Sequence, residues 1–181
     1  MFFTMKAMVL CGSGNTDGYT HDMCQTFADG LKPVFSEVRV VDLSSLRIGD
    51  CTGCSSCRYG RGCVLRDDAE ALFREMEDTD LLVLATPIRF NGPSSVLKRF
   101  IDRLNPYWGG SRVHPRWCCG LMCAGSSRPC FDHARSEMRS ASNTVGMEWL
   151  GELCIPDTDH GKGCGPETKR FVEEILKRIS G

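Results

Sequence analysis

The chain has 181 residues, of which 41% are hydrophobic and 25% charged, with a formal net charge of −1. That length fits one domain with a core of its own, and the near-neutral balance excludes a bulk pull toward nucleic acid or an anionic membrane surface. No apolar run approaches the ~20 residues of a membrane helix.

Residues 6–11 form a short apolar run that stops at Gly12, as a buried strand does. The apolar N-terminus runs straight into a Gly-rich turn without the small-residue cleavage site of a signal peptide, so it reads as a first strand and not a leader. Met23, Phe27 and Leu31 then recur at helical spacing, with Thr20 as the expected N-cap. Residues 37–43 are β-branched and read as the second strand, and 49–63 as an irregular loop. Asp67 and Asp68 open a helix with Leu72, Phe73 and Met76 on one face. Residues 81–86 are a continuous apolar strand stopped by Pro87. Pro93 is expected in the first turn of the next helix, whose apolar face is Val96, Leu97, Phe100, Ile101 and Leu104. A fourth strand spans 117–124, a weaker helix 129–142, a fifth strand 147–155 and a last helix 166–179 with Phe171, Val172, Ile175 and Ile179 inward.

Five apolar strands alternating with five helical patterns predict an α/β domain: a parallel sheet covered on both faces, with residues 1–181 as a single unit. Loops rich in Gly, Ser, Pro and Asn follow the first, third and fourth strands, and ligands of open α/β sheets bind at such carboxyl-end loops. In the first of them, Ser13, Gly14, Asn15, Gly18, Tyr19 and Thr20 offer hydroxyls and free backbone N–H groups at a helix start, an anion site that needs no lysine. The absence of Gly-Lys-Ser/Thr argues against a P-loop triphosphatase. Gly12, Gly14 and Gly18 also sit one residue off the dinucleotide-binding spacing, with Asp42 at the end of strand two where a ribose-binding acid would stand. That dinucleotide reading stays open, as does a turn that merely needs glycine. The third loop adds Ala124, Gly125 and Ser126.

Twelve cysteines are unusual for such a chain. Cys11, Cys118, Cys119, Cys123 and Cys154 lie on apolar segments and read as small buried strand residues. Cys51, Cys54, Cys57 and Cys63 crowd into thirteen residues, too close for stapling long loops, and speak for metal. Four thiolates from so short a loop can wrap one cubane, whereas structural zinc prefers two separated C-x2-C knuckles. Cluster, zinc and a plain surface loop remain the alternatives. With no mark of secretion the expected address is a reducing cytosol. His21, His114, His133 and His160 are scattered and form no metal pair. Trp108 and Trp117 flank a loop at 109–116 that could cover a neighbour's site, although an ordinary connection is the simpler reading.

The stretch Gly12-Ser13-Gly14-Asn15-Thr16-Asp17-Gly18-Tyr19-Thr20 resembles the phosphate loop of the NAD(P)H-dependent FMN reductase family, with Asn15 where that family often has arginine. Residues 80–103, through Thr86-Pro87 and on to Leu97-Lys98-Arg99-Phe100-Ile101-Asp102-Arg103, resemble the family's flavin-edge segment. The resemblance implies a flavodoxin-like fold, a five-stranded parallel sheet of order 2-1-3-4-5 in a three-layer sandwich, and FMN as cofactor. It places Pro87, Ile88, Arg89, Phe90, Asn91 and Gly92 along the flavin ring. Arg89 stands in place of a commoner tyrosine, either as a cation beside the reduced ring or as a solvent-facing side chain. With the cysteine loop, the chain is similar to the iron–sulfur flavoproteins of anaerobes, which implies a [4Fe–4S] cluster on Cys51, Cys54, Cys57 and Cys63. The expected activity is flavin-dependent electron transfer between NAD(P)H or ferredoxin and a quinone, oxygen species or protein acceptor, in a homodimer or homotetramer. The alternatives are a cluster-free NAD(P)H:FMN or quinone reductase and a non-enzymatic carrier. Because a flavin carries the chemistry, no catalytic acid or base is assigned.

Overall fold

Alternation along the strands decides the layering. In β1 (Lys6–Cys11), Ala7, Val9 and Cys11 face one side and Met8 and Leu10 the other; all five are buried. The computed structural model describes residues 4–181 except 109, 111 and 162, so two positions of the 109–116 loop lie outside the described residues.

β2 (Glu37–Asp42), β3 (Leu81–Pro87), β4 (Trp117–Cys123) and β5 (Glu148–Ile155) join β1 in a fully parallel sheet of order β2-β1-β3-β4-β5. Buried on both faces, β3 and β4 are continuous apolar runs, as central parallel strands must be. α1 (Tyr19–Leu31) and α5 (Gly165–Ser180) cover one face, where Phe27 and Phe171 meet at 5.9 Å between ring centroids. α2 (Asp68–Glu77), α3 (Ser95–Asp102) and α4 (Asp132–Val145) cover the other, around Phe73, Phe100 and Tyr107. The expected α/β order and flavodoxin-like topology are therefore met.

Three local readings change. Thr20 does not cap α1: Gly18 holds that position without a side-chain bond, and Thr20 is buried in the first turn. Pro93 lies just outside α3, whose cap is Ser94, accepting from the Leu97 N–H at 3.2 Å. Cys154 is only half-buried, because β5 is an edge strand, whereas Cys11, Cys118, Cys119 and Cys123 are buried as expected. Among the described residues, no helix is long and apolar enough to cross a membrane.

Candidate functional site

The chain leaves β1 into a turn that only glycine fits. A Cβ on Gly12 would sit 2.7 Å from Leu97 Cβ and 2.8 Å from the Ala85 carbonyl oxygen. That closeness lets the first and second strand-end loops share bonds. The Gly12 N–H donates to Ala85 O at 2.8 Å, and the Ser94 hydroxyl donates to Gly12 O. The Ser94 N–H donates to Thr86 Oγ1 at 2.9 Å, and that hydroxyl donates to Pro87 O at 3.0 Å. Ser94 and Thr86 thus lock the loop before α3 against the loop before α1.

α2 is capped by Asp67 and α3 by Ser94, but no side chain caps α1. Its first N–H groups open on a cavity of about 520 Å³ at the carboxyl edge of the sheet. Ser13, Asn15, Gly18, Tyr19, Thr20, Pro87, Arg89, Ala124 and Gly125 line it, so all three strand-end loops meet there. Asn15 turns back on its own loop, accepting from the Asp17 N–H at 3.0 Å, while its N–H donates to Ser13 Oγ at 3.1 Å. A local turn former is what this position uses. Arg89 is exposed yet lines the cavity, where it is the one cation among the lining residues.

Other candidate residues point elsewhere. Ile88 packs against the core on the α2–α4 side, and Gly14 and Ser126 lie outside the cavity walls. Arg89 and Gly92 exchange two backbone bonds of 2.9 Å around Phe90 and Asn91, both left-handed at φ 49° and 68°. That is the two-residue turn suited to Asn but costly for Phe, and it presents Phe90 wholly to solvent.

The fifth strand supplies a wall without any motif. The Asp157, Thr158 and Asp159 N–H groups donate to the carbonyls of Ser126, Ala124 and Gly125. The Asp159 carboxylate lies over Gly125, where a Cβ would meet Oδ2 at 2.2 Å. With Asp17 and Asp22 it makes three carboxylates against Arg89 around the cavity.

Beneath the first loop sit three thiols. Cys123 Sγ is 3.1 Å from Thr20 Oγ1. Burial pushes the Cys123 thiol up, against the opposing pull of Thr20 and Arg89. A hydrogen bond from the Cys24 thiol holds Cys11 low despite burial, aided by the Ser13 backbone and His21, and the same bond together with burial drives Cys24 up. Asp42 serves a local turn instead of the cavity: its carboxylate accepts from the Ser44 N–H at 2.9 Å and from the Ser44 hydroxyl at 2.7 Å. The acid that a dinucleotide-binding loop would use for ribose is thus engaged elsewhere.

The cysteine loop is built differently. Gly53, Ser55, Gly60 and Gly62 are left-handed, and only a short 3₁₀ turn at Cys57–Tyr59 is regular. Cys51, Cys54, Cys57 and Cys63 are all free thiols and all line one cavity of about 230 Å³, with Arg58, Arg103, Asn105 and Trp108. Among the described residues, no three His, Cys, Asp or Glu side chains are drawn together as for a single metal ion. Asp67 pins the loop, accepting from the Gly49 N–H at 2.8 Å and the Ala69 N–H at 3.1 Å. Burial opposes its charge, but the Arg103 guanidinium and these two amides outweigh burial and hold the carboxyl below its ordinary value.

The two cavities share no lining residue. α3 links the two regions: Ser94 at its start bonds the Gly12 carbonyl, and Arg103 just past its end lines the cysteine cavity.

Strand order, the uncapped α1 and the convergent loops define the flavodoxin-like class of α/β protein. Solved structures agree on the fold. An NAD(P)H:quinone oxidoreductase from Methanothermobacter marburgensis superposes with a TM-score of 0.75 at 15% identity, covering 98% of this chain and 97% of its own. An azoreductase from Bacillus anthracis gives 0.69 at 15% identity, with 96% and 98% covered. The family model described as NADPH-dependent FMN reductase matches residues 5–173, and the chain belongs to that family. It is a flavin-dependent oxidoreductase. An iron–sulfur flavoprotein of Archaeoglobus fulgidus is 37% identical over 177 residues, 97% of this chain and 76% of that protein. One of Methanocaldococcus jannaschii is 26% identical over 124 residues, 68% and 64% respectively.

Proposed function

We propose that the chain is an iron–sulfur flavoprotein that takes electrons from NAD(P)H or a ferredoxin-type carrier and passes them to a quinone, an oxygen species or a protein acceptor. The observation that carries the flavin half is the uncapped start of α1 opening on a cavity where three strand-end loops converge. A helix N-terminus with free N–H groups suits a phosphate. Ser13 Oγ and the backbone around Gly18 to Thr20 would hold it, and Pro87 and Arg89 would border the ring. FMN when bound supplies hydride and single-electron chemistry; the residues bind and orient it.

Cys51, Cys54, Cys57 and Cys63, four thiols around one cavity, are the residues that would hold a [4Fe–4S] cluster, and a short loop of four thiolates suits that group better than the two separated knuckles zinc prefers. Residues 51–66 carry Arg58, Arg61 and Arg66 and no acidic side chain, which suits an acidic protein partner. We further propose a homodimer or homotetramer working in a reducing cytosol.

Protein purified without air tests both halves. Flavin absorption, about four irons per chain and FMN fluorescence quenched on titration are expected. Zinc without iron would leave the cluster-free reductase, and binding of NAD without FMN would reinstate the dinucleotide reading.

A further inference from the structure

Arg103 is the one charged side chain among the buried residues described, at 3% exposure. A buried cation is tolerated only when paired, and one carboxylate would suffice. Arg103 does more. Nη1 donates to Asp67 Oδ2 at 2.6 Å and to the Gly49 carbonyl at 2.9 Å. Nη2 donates to Asp67 Oδ1 at 3.1 Å and to Cys63 Sγ at 3.3 Å. One planar fork therefore grips the chain two residues before Cys51, the last cysteine of the loop, and the carboxylate that caps α2. A lysine ammonium, a single point on a flexible stem, cannot span those three groups.

We propose that Arg103 is a positioning residue for the cysteine loop: it clamps both ends of residues 49–63 and, through its N–H bond to Cys63 Sγ, sets the reduction potential of the group the four cysteines hold. The second half rests on the iron–sulfur reading above. Each one-electron reduction adds negative charge that is shared with the ligating sulfurs. An N–H donor and a buried positive charge stabilise that reduced form and so raise the potential.

The test uses anaerobically reconstituted full-length parent, Arg103→Gln and Arg103→Lys proteins. Their iron content is counted, their potential is followed by a dye-mediated titration with EPR detection, and amide hydrogen exchange is mapped. Arg103→Gln is expected to keep its iron and to be about tenfold less reduced at a fixed ambient potential, a lowering of about 59 mV for a one-electron couple. Exchange should rise about tenfold in residues 49–66 and stay at parent rates in β1, β3 and β4. Arg103→Lys should show the same loosening, because charge alone does not restore the fork. If a single variant does not fold, the Arg103→Met, Asp67→Leu double variant leaves no unpaired buried charge and gives the same readouts. A variant with full iron, the parent's potential and the parent's exchange overturns the proposal. If the parent itself takes up no iron, the iron–sulfur reading fails. The exchange map then decides the clamp alone: faster exchange in 49–66 upholds it and unchanged exchange overturns it.

Discussion

The two cavities are made by opposite means. The strand-end cavity is walled by the ends of β3 and β4 and by the segments that follow β1, β3, β4 and β5, strands whose backbones the sheet already holds. Its walls are reinforced by backbone carbonyls and buried hydroxyls, with Ser94 tying two loops together. The cysteine cavity stands on a loop with four left-handed residues and little regular structure, held by charged pins: Asp67 to Arg103, and Asp50 to Arg99 at 3.0 Å. A site on strand ends inherits its shape from the core. A site on a long loop has to be fastened side chain by side chain, so single substitutions should act on the two very differently.

The largest expected effect comes from cutting a pin. Asp67→Ala leaves Arg103 buried without its carboxylate and should cost ~3–5 kcal/mol in urea unfolding. The Asp67 carboxyl is held below its ordinary value, so the pair stabilises fully above about pH 4. That contribution drains away as pH falls through the lower folded value. Asp67→Asn should remove this acid limb from the pH profile of the unfolding midpoint.

Next is Gly12→Ala, where the new methyl meets backbone and Leu97. Overpacking there should cost ~1–3 kcal/mol and weaken FMN together with it, because this turn joins both loops. Ser13→Ala combined with Thr20→Val should instead leave stability within ~1 kcal/mol of the parent while weakening FMN about tenfold in a fluorescence titration. A large loss of stability in that variant would break the contrast drawn above.

The smallest effect sharpens the electrostatics. Asp159→Asn removes one of three carboxylates from the cavity proposed to hold the FMN phosphate, and FMN should bind several-fold tighter at low salt, with the gain fading as salt rises.

Hydrophobic runs and Gly-rich punctuation made all five strands, all five helices and the three strand-end loops legible in the sequence, because a parallel sheet buries its strands on both faces. What stayed hidden depended on tertiary packing. Nothing local distinguishes Thr158 and Asp159 from an ordinary exit loop; they become walls only because β5 lies beside β4. Thr20 stood at a plausible cap, but the helix begins one residue earlier and turns its hydroxyl onto Cys123. Arg103 was visible as the last letter of a motif, and its role appears only when α3 brings it against Asp67 and Cys63.

The distribution of sulfur has a practical consequence at the bench. Burial pushes the Cys118 thiol up to about 12 and Cys119 well above its ordinary value, so both are silent to alkylating reagents while the sheet is intact. Cys51 and Cys54 are exposed, and Cys57 and Cys63 are half-exposed. A timed count of alkylated cysteines by intact mass therefore reports the loop first and the sheet only when it opens, giving one chain two internal clocks for two separate events.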